Sequence, residues 1–315
     1  MKSFQRIILI SVIGTYLVIL AGAVVRGTGS GLGCPDWPRC FGQWIPPTDI
    51  SELPANYKDV YKIAGKTIAD FDPFKTWTEY LNRLLGALLG VGIVALFIKS
   101  FSLREREKSL TWYCAGLLFL ILIQGGVGAL VVSTHLKPFL ITIHMFLAIV
   151  LLFGLLYLKK YCADFEDVSL VSQVDTKALT IAKVLVAFAF FQVLMGTQVR
   201  QQVDYLIRDT QSATHESVVG LLNWVFYSHR SFSIVIVGLF LYLLTYLHRS
   251  QYDRKAFFLT LMAFLCVLGN IVSGVILNYF NFPAGAQPPH LFFGVMSIGF
   301  LFSLYLNLKG TLLED

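Results

Sequence analysis

The residues of this chain that can do chemistry are few and sit in unusual places. It has six histidines in 315 residues, and His144, His229 and His290 each lie in or at the start of a strongly apolar stretch. Two helix openings invite comparison. "TWTEYLNRLLG" (76–86) carries Glu79, Asn82 and Arg83, whereas "FYSHRSFSIVIVG" (226–238) carries Phe226, His229 and Arg230. Both have the arginine, but one offers an acid and an amide where the other offers a phenyl ring and an imidazole. Ionisable groups inside apolar helices are costly, and by default they mark function.

Two imidazoles on facing helices, in a pocket of aliphatic and aromatic side chains, suit the iron of a porphyrin. The plainer reading is three separate histidines hydrogen-bonding within helix contacts. Zinc or copper fits less well, because no cysteine or carboxylate accompanies His229 and His290. Porphyrin propionates need cations, and Arg26, Arg83, Arg200 and Arg230 all fall at the outer end of a helix. A guanidinium pairs bidentately with a carboxylate; snorkelling at the interface is the alternative. An iron closed by His229 and His290 suits electron transfer. His144, with the non-basic Asn82 opposite, would leave a position open for oxygen. Glu79, one turn before Asn82 on the same face, could deliver protons or dehydrate an intermediate, or simply meet the helix dipole.

The elements that must position these groups span a membrane. The chain is 56% hydrophobic and only 14% charged, with a mean hydropathy of +0.68, too little charge to cover a soluble domain of this size. Eight apolar stretches, at approximately 7–25, 80–100, 110–132, 138–158, 177–198, 229–247, 256–277 and 290–308, reach the roughly 20 residues a bilayer crossing needs. The fold class is therefore all-α, an integral membrane protein with eight transmembrane helices. The first stretch lacks a small-residue cleavage site and is read as a retained helix. Lysines and arginines concentrate in the 2–3, 4–5 and 6–7 links, so the positive-inside rule puts both termini in the cytoplasm and the 27–79 loop outside the cell membrane. That topology accounts for the net charge of +6, and no nucleic-acid partner is implied.

Cys34 and Cys40 fall in that outer loop, in "GCPDWPRC". An oxidising compartment favours a disulfide between them, with free thiols or half of a metal site as the alternatives. His135 and His215 lie in outer links and read as surface residues, and His248 borders the cytoplasmic end of helix 6.

An internal repeat orders these landmarks. "GGVGALVV" (125–132) parallels "IVSGVILN" (271–278), and the same interval of 16 residues separates Gly128 from His144 and Gly274 from His290. Arg83 matches Arg230, and "AGAVVR" ending at Arg26 matches "MGTQVR" ending at Arg200. The chain thus reads as two pseudo-repeated four-helix bundles, 1–160 and 161–315.

Taken together these residues resemble the heme A synthase family across nearly the whole length. The resemblance is carried by "AGAVVRGTGSGLGCPDWPRC" (21–40), Glu79 to Arg83, "ITIHMFLA" (141–148), "YSHRSFS" (227–233) and "QPPHLFFG" (287–294). It implies a membrane oxygenase that hydroxylates a ring methyl of heme O twice, the gem-diol then losing water to leave the formyl group of heme A. It implies heme b on His229 and His290 in the 161–315 half. Heme O as substrate, and heme A as product, would sit in the 1–160 half near Glu79, with iron through His144. It also implies a cysteine pair at Cys34 and Cys40, surrounding lipid, and a heme O synthase and an electron donor as partners; the oligomeric state stays open. Many members have histidine where this chain has Asn82. The alternative is a quinol-linked, two-heme electron-transfer cytochrome, which predicts two histidine ligands at both sites.

Overall fold

The computed structural model describes residues 1–166, 175–209, 219–250, 253–280 and 282–309. His215 lies outside the described residues. Among the described residues no strand occurs, and eight helices are long and apolar enough to cross a membrane. They are α1 (Lys2–Gly27), α2 (Pro73–Ser100), α3 (Lys108–Ser133), α4 (Pro138–Glu166), α5 (Thr176–Asp209), α6 (Trp224–Arg249), α7 (Arg254–Tyr279) and α8 (Gln287–Lys309).

Side chains written into the sequence start several of these helices. Asp72 accepts from the Lys75 amide and Pro73 opens α2. Asn223 caps α6 through the Val225 amide, and Asp253 caps α7 through the Lys255 amide. Each satisfies a donor the helix cannot, an effect worth about 1 kcal/mol. The turn from α3 into α4 is tight: His135 and Leu136 both take φ near +60° before Pro138 begins the next helix. His135 is therefore a half-buried turn residue rather than a surface one, in a backbone region histidine tolerates better than most side chains.

The chain forms two compact units, Met1–Leu155 and Leu156–Asp315. In the first, α1 packs on α2 and α2 on α3. The buried residues of α1, including Phe4, Ile8, Ser11, Val12, Thr15, Ile19 and Ala23, form one stripe at three- and four-residue spacing. In the second, α5, α6, α7 and α8 close a ring, each packing on the next and α8 returning to α5. The reverse faces are apolar and bare: Ile10, Leu88, Trp112 and Ile234 are all exposed. Faces of that kind suit a hydrocarbon surround.

The 28–72 loop is folded. Cys34 and Cys40 form a disulfide and are buried with Phe41, Leu53 and Tyr57. Phe41 is the hub, meeting Tyr57, Tyr61 and Phe71 edge-on. Asp36 accepts from the amides of Phe41 and Gly42 at 2.6 and 2.8 Å. Gly33 is obligatory, since a Cβ there would lie 2.5 Å from the Lys75 carbonyl oxygen of α2. Tyr80 and Trp77 of α2 tie the loop down by donating to Trp44 O and Pro47 O.

Candidate heme sites

In the second unit the caps fix where the imidazoles fall. The Asn223 cap starts α6 so that His229 lies in its second turn, and His290 lies in the first turn of α8. The two rings face each other with centroids 6.2 Å apart and planes inclined at 70°. With metal–nitrogen bonds of about 2 Å and ring centres roughly 1 Å beyond each nitrogen, an iron between them needs about 6 Å. The separation of the two ring centres matches that requirement. Among the described residues no group of three or more His, Cys, Asp or Glu is placed to hold an ion. A porphyrin asks only for axial ligands, because its own nitrogens supply the rest.

Each histidine is held by the neighbouring helix. Asn270 of α7 donates through Nδ2 to the His290 carbonyl oxygen at 2.5 Å. In return His290 Nδ1 lies 2.8 Å from the Asn270 carbonyl oxygen. A carbonyl can only accept, so the proton sits on Nδ1 and Nε2 presents its lone pair. Ser273 Oγ lies 3.2 Å from the same Nδ1. Gln192 of α5 donates to the His229 carbonyl oxygen at 2.7 Å, while His229 Nδ1 is buried without a partner. Glycines make room for the rings. A Cβ on Gly274 would come within 3.1 Å of His290 Cε1, and one on Gly196 within 3.3 Å of His229 Cε1.

In the first unit His144 of α4 repeats the arrangement against α3. Gln124 donates to its carbonyl oxygen at 3.0 Å, and a Cβ on Gly128 would lie 3.2 Å from its Cε1. His144 Nδ1 is also buried without a partner. Elsewhere in this unit, Gly22 of α1 faces Asn82 of α2, whose Oδ1 a Cβ would meet at 3.8 Å. That oxygen is buried and makes no hydrogen bond.

Glu79 is tied to the disulfide loop. It is 3% exposed, and its Oε2 accepts from the Cys34 amide at 3.1 Å. Its Oε1 accepts from Arg83 Nε at 3.1 Å and Nη2 at 2.5 Å. Arg83 goes on to the carbonyl oxygens of Cys34, Asp36 and Arg39. Its donors thus serve the loop and Glu79, an arrangement sequence alone did not suggest for a residue read as a propionate partner. Arg230, at the matching place, lies over the rings of Phe226 and Tyr227 at 6.0 and 5.7 Å. Arg200 pairs with Asp204 at 2.8 Å, and Arg26 closes the last turn of α1.

The family of cytochrome oxidase assembly proteins (COX15-CtaA) matches residues 5–302. The chain belongs to this family. Curated relatives include heme A synthases of Shewanella oneidensis, 32% identical over 48% of this chain and 43% of that protein, and of Rickettsia bellii, 25% identical over 98% and 99%. A third, from Alkalihalophilus pseudofirmus, is 24% identical over 84% of each chain. The match thus spans less than half of the Shewanella protein and nearly all of the Rickettsia one.

For this member of the cytochrome oxidase assembly family, the sequence singles out the three histidines but not the residues that hold them. Gln124, Gln192 and Asn270 each stand four residues before the glycine under the ring, and that spacing was the signal available.

Proposed function

We propose that this chain is a heme A synthase, oxidising a methyl group of heme O to the formyl group of heme A. The observation that carries the reading is the facing pair His229 and His290, at iron-spanning distance, in a chain matched by the family over residues 5–302. In chemical balance, the methyl carbon gives up four electrons. With dioxygen as the oxidant, two hydroxylations would consume two dioxygen, four electrons and four protons, and release three waters once the gem-diol collapses.

In this reading His229 and His290 would hold heme b, and His144 would hold the iron of the substrate. A heme closed by two imidazoles passes single electrons, and one with a free face activates oxygen. Asn82 would lie toward the heme's other face and supplies no imidazole. Glu79 is the acid nearest it in sequence, positioned by Arg83 and the Cys34 amide, and holds or releases protons for hydroxylation and dehydration. Arg26, Arg200 and Arg230 are the propionate partners in this reading, with Arg83 acting through Glu79 and the loop. Both termini would be cytoplasmic in the cell membrane, with heme O delivered by a heme O synthase and electrons by an external donor. The electron-transfer alternative asks for a second histidine at Asn82, which the chain lacks. The test is extraction of non-covalent heme from cells making this chain beside heme O. A formyl-bearing heme supports the synthase, and unaltered heme O refutes it.

A further inference from the structure

The three candidate axial histidines share one support that no ligand list would include. The helix packed against each supplies a primary amide to the histidine's own carbonyl oxygen and, one turn on, a glycine under its ring. Gln124 and Gly128 do this for His144, Gln192 and Gly196 for His229, and Asn270 and Gly274 for His290. A helical carbonyl already accepts from the residue four positions later, so backbone satisfaction does not require these amides. Their burial is also costly, because Gln124 Oε1 and Gln192 Oε1 are buried with no partner, and such a group opposes folding. Three backbone-redundant bonds, all on histidines and two of them from amides whose oxygen is buried unpaired, point to placement of the ring rather than stability of the fold.

We propose that Gln124, Gln192 and Asn270 are positioning residues that set the depth and rotation of the axial imidazoles, resting on the heme reading above. Pinning the histidine main chain fixes where the Cα–Cβ bond points, and the glycine then admits the ring on one side only. The fourth cradle departs from the pattern at two places. Gly22 faces Asn82, and Val18 occupies the position four residues earlier. That cradle lacks the amide as well as the imidazole.

The experiment uses the full chain purified with its resident heme and follows the low-spin ferric electron paramagnetic resonance signal, which reads the two imidazole orientations. Gln192→Leu and Asn270→Leu are compared with wild type and with Asn278→Leu, which removes a buried α7 amide oxygen that makes no hydrogen bond. We expect the leucine variants at 192 and 270 to shift or split the signal of the heme they keep, and to release heme on the order of tenfold more readily. Asn278→Leu should leave the signal in place. Gln192→Asn retains a donor, should recover the wild-type signal in part, and covers the case in which Gln192→Leu does not fold. An unchanged signal in both leucine variants overturns the proposal while leaving the heme reading standing. A wild-type protein with no bis-imidazole signal overturns the heme reading itself.

Discussion

Gly274→Ala should weaken heme retention in the C-terminal unit even though alanine is the better helix former. In an open helical position the exchange is worth roughly 0.5–1 kcal/mol in favour of alanine. At Gly274 the new methyl would lie 3.1 Å from His290 Cε1 and 3.4 Å from Nδ1. The ring cannot simply retreat, because Nδ1 is bonded to the Asn270 carbonyl and the His290 carbonyl to the Asn270 amide. Overpacking of this kind costs about 1–3 kcal/mol. Expressed entirely in heme affinity, that is about 5- to 150-fold. The assay is transfer of heme from purified protein to excess apomyoglobin, with Gly238→Ala as control, since a Cβ at Gly238 of α6 meets nothing within 4 Å. If Gly274→Ala releases heme no faster than Gly238→Ala, the ring does not lie where this account puts it.

Three further outcomes follow from the same geometry. Arg83→Leu removes the donors to Cys34, Asp36 and Arg39 and leaves Glu79 buried without its cation. A cost of about 3–5 kcal/mol is expected, read as protease cleavage within residues 28–72, and an unchanged digestion pattern would count against it. Cys34→Ser with Cys40→Ser opens a short loop, and about 2 kcal/mol of stability should go with it; wild type under reducing conditions should melt like the variant, and equal melting of oxidised wild type would contradict this. Asn82→His with Val18→Gln should convert the N-terminal heme to a low-spin form more completely than Asn82→His alone, as followed by optical spectroscopy. Equal conversion by the single and double variants would show that the amide is dispensable there.

The eight spans were legible because a bilayer crossing demands a long apolar run, a pattern that depends on little else. The disulfide was legible as one of several readings of two nearby cysteines, and its geometry decided among them. The three histidines stood out because imidazoles are rare in apolar helices. What stayed hidden depended on neighbours distant in sequence. Nothing local tells that Arg83 reaches three loop carbonyls, since those partners lie 44 to 49 residues away. Gln192 and Asn270 read as polar interruptions until α6 and α8 are packed beside them. The folding of the 28–72 loop around Phe41 was likewise invisible, because its core is built from scattered aromatics with no period.

The central claim is that one unit closes its iron with two histidines and the other leaves a face open. Electron paramagnetic resonance of the oxidised protein carrying both hemes tests this most directly. The account predicts one low-spin bis-imidazole signal, lost in His229→Ala or His290→Ala, beside one high-spin signal altered by His144→Ala. Two low-spin bis-imidazole signals would contradict it.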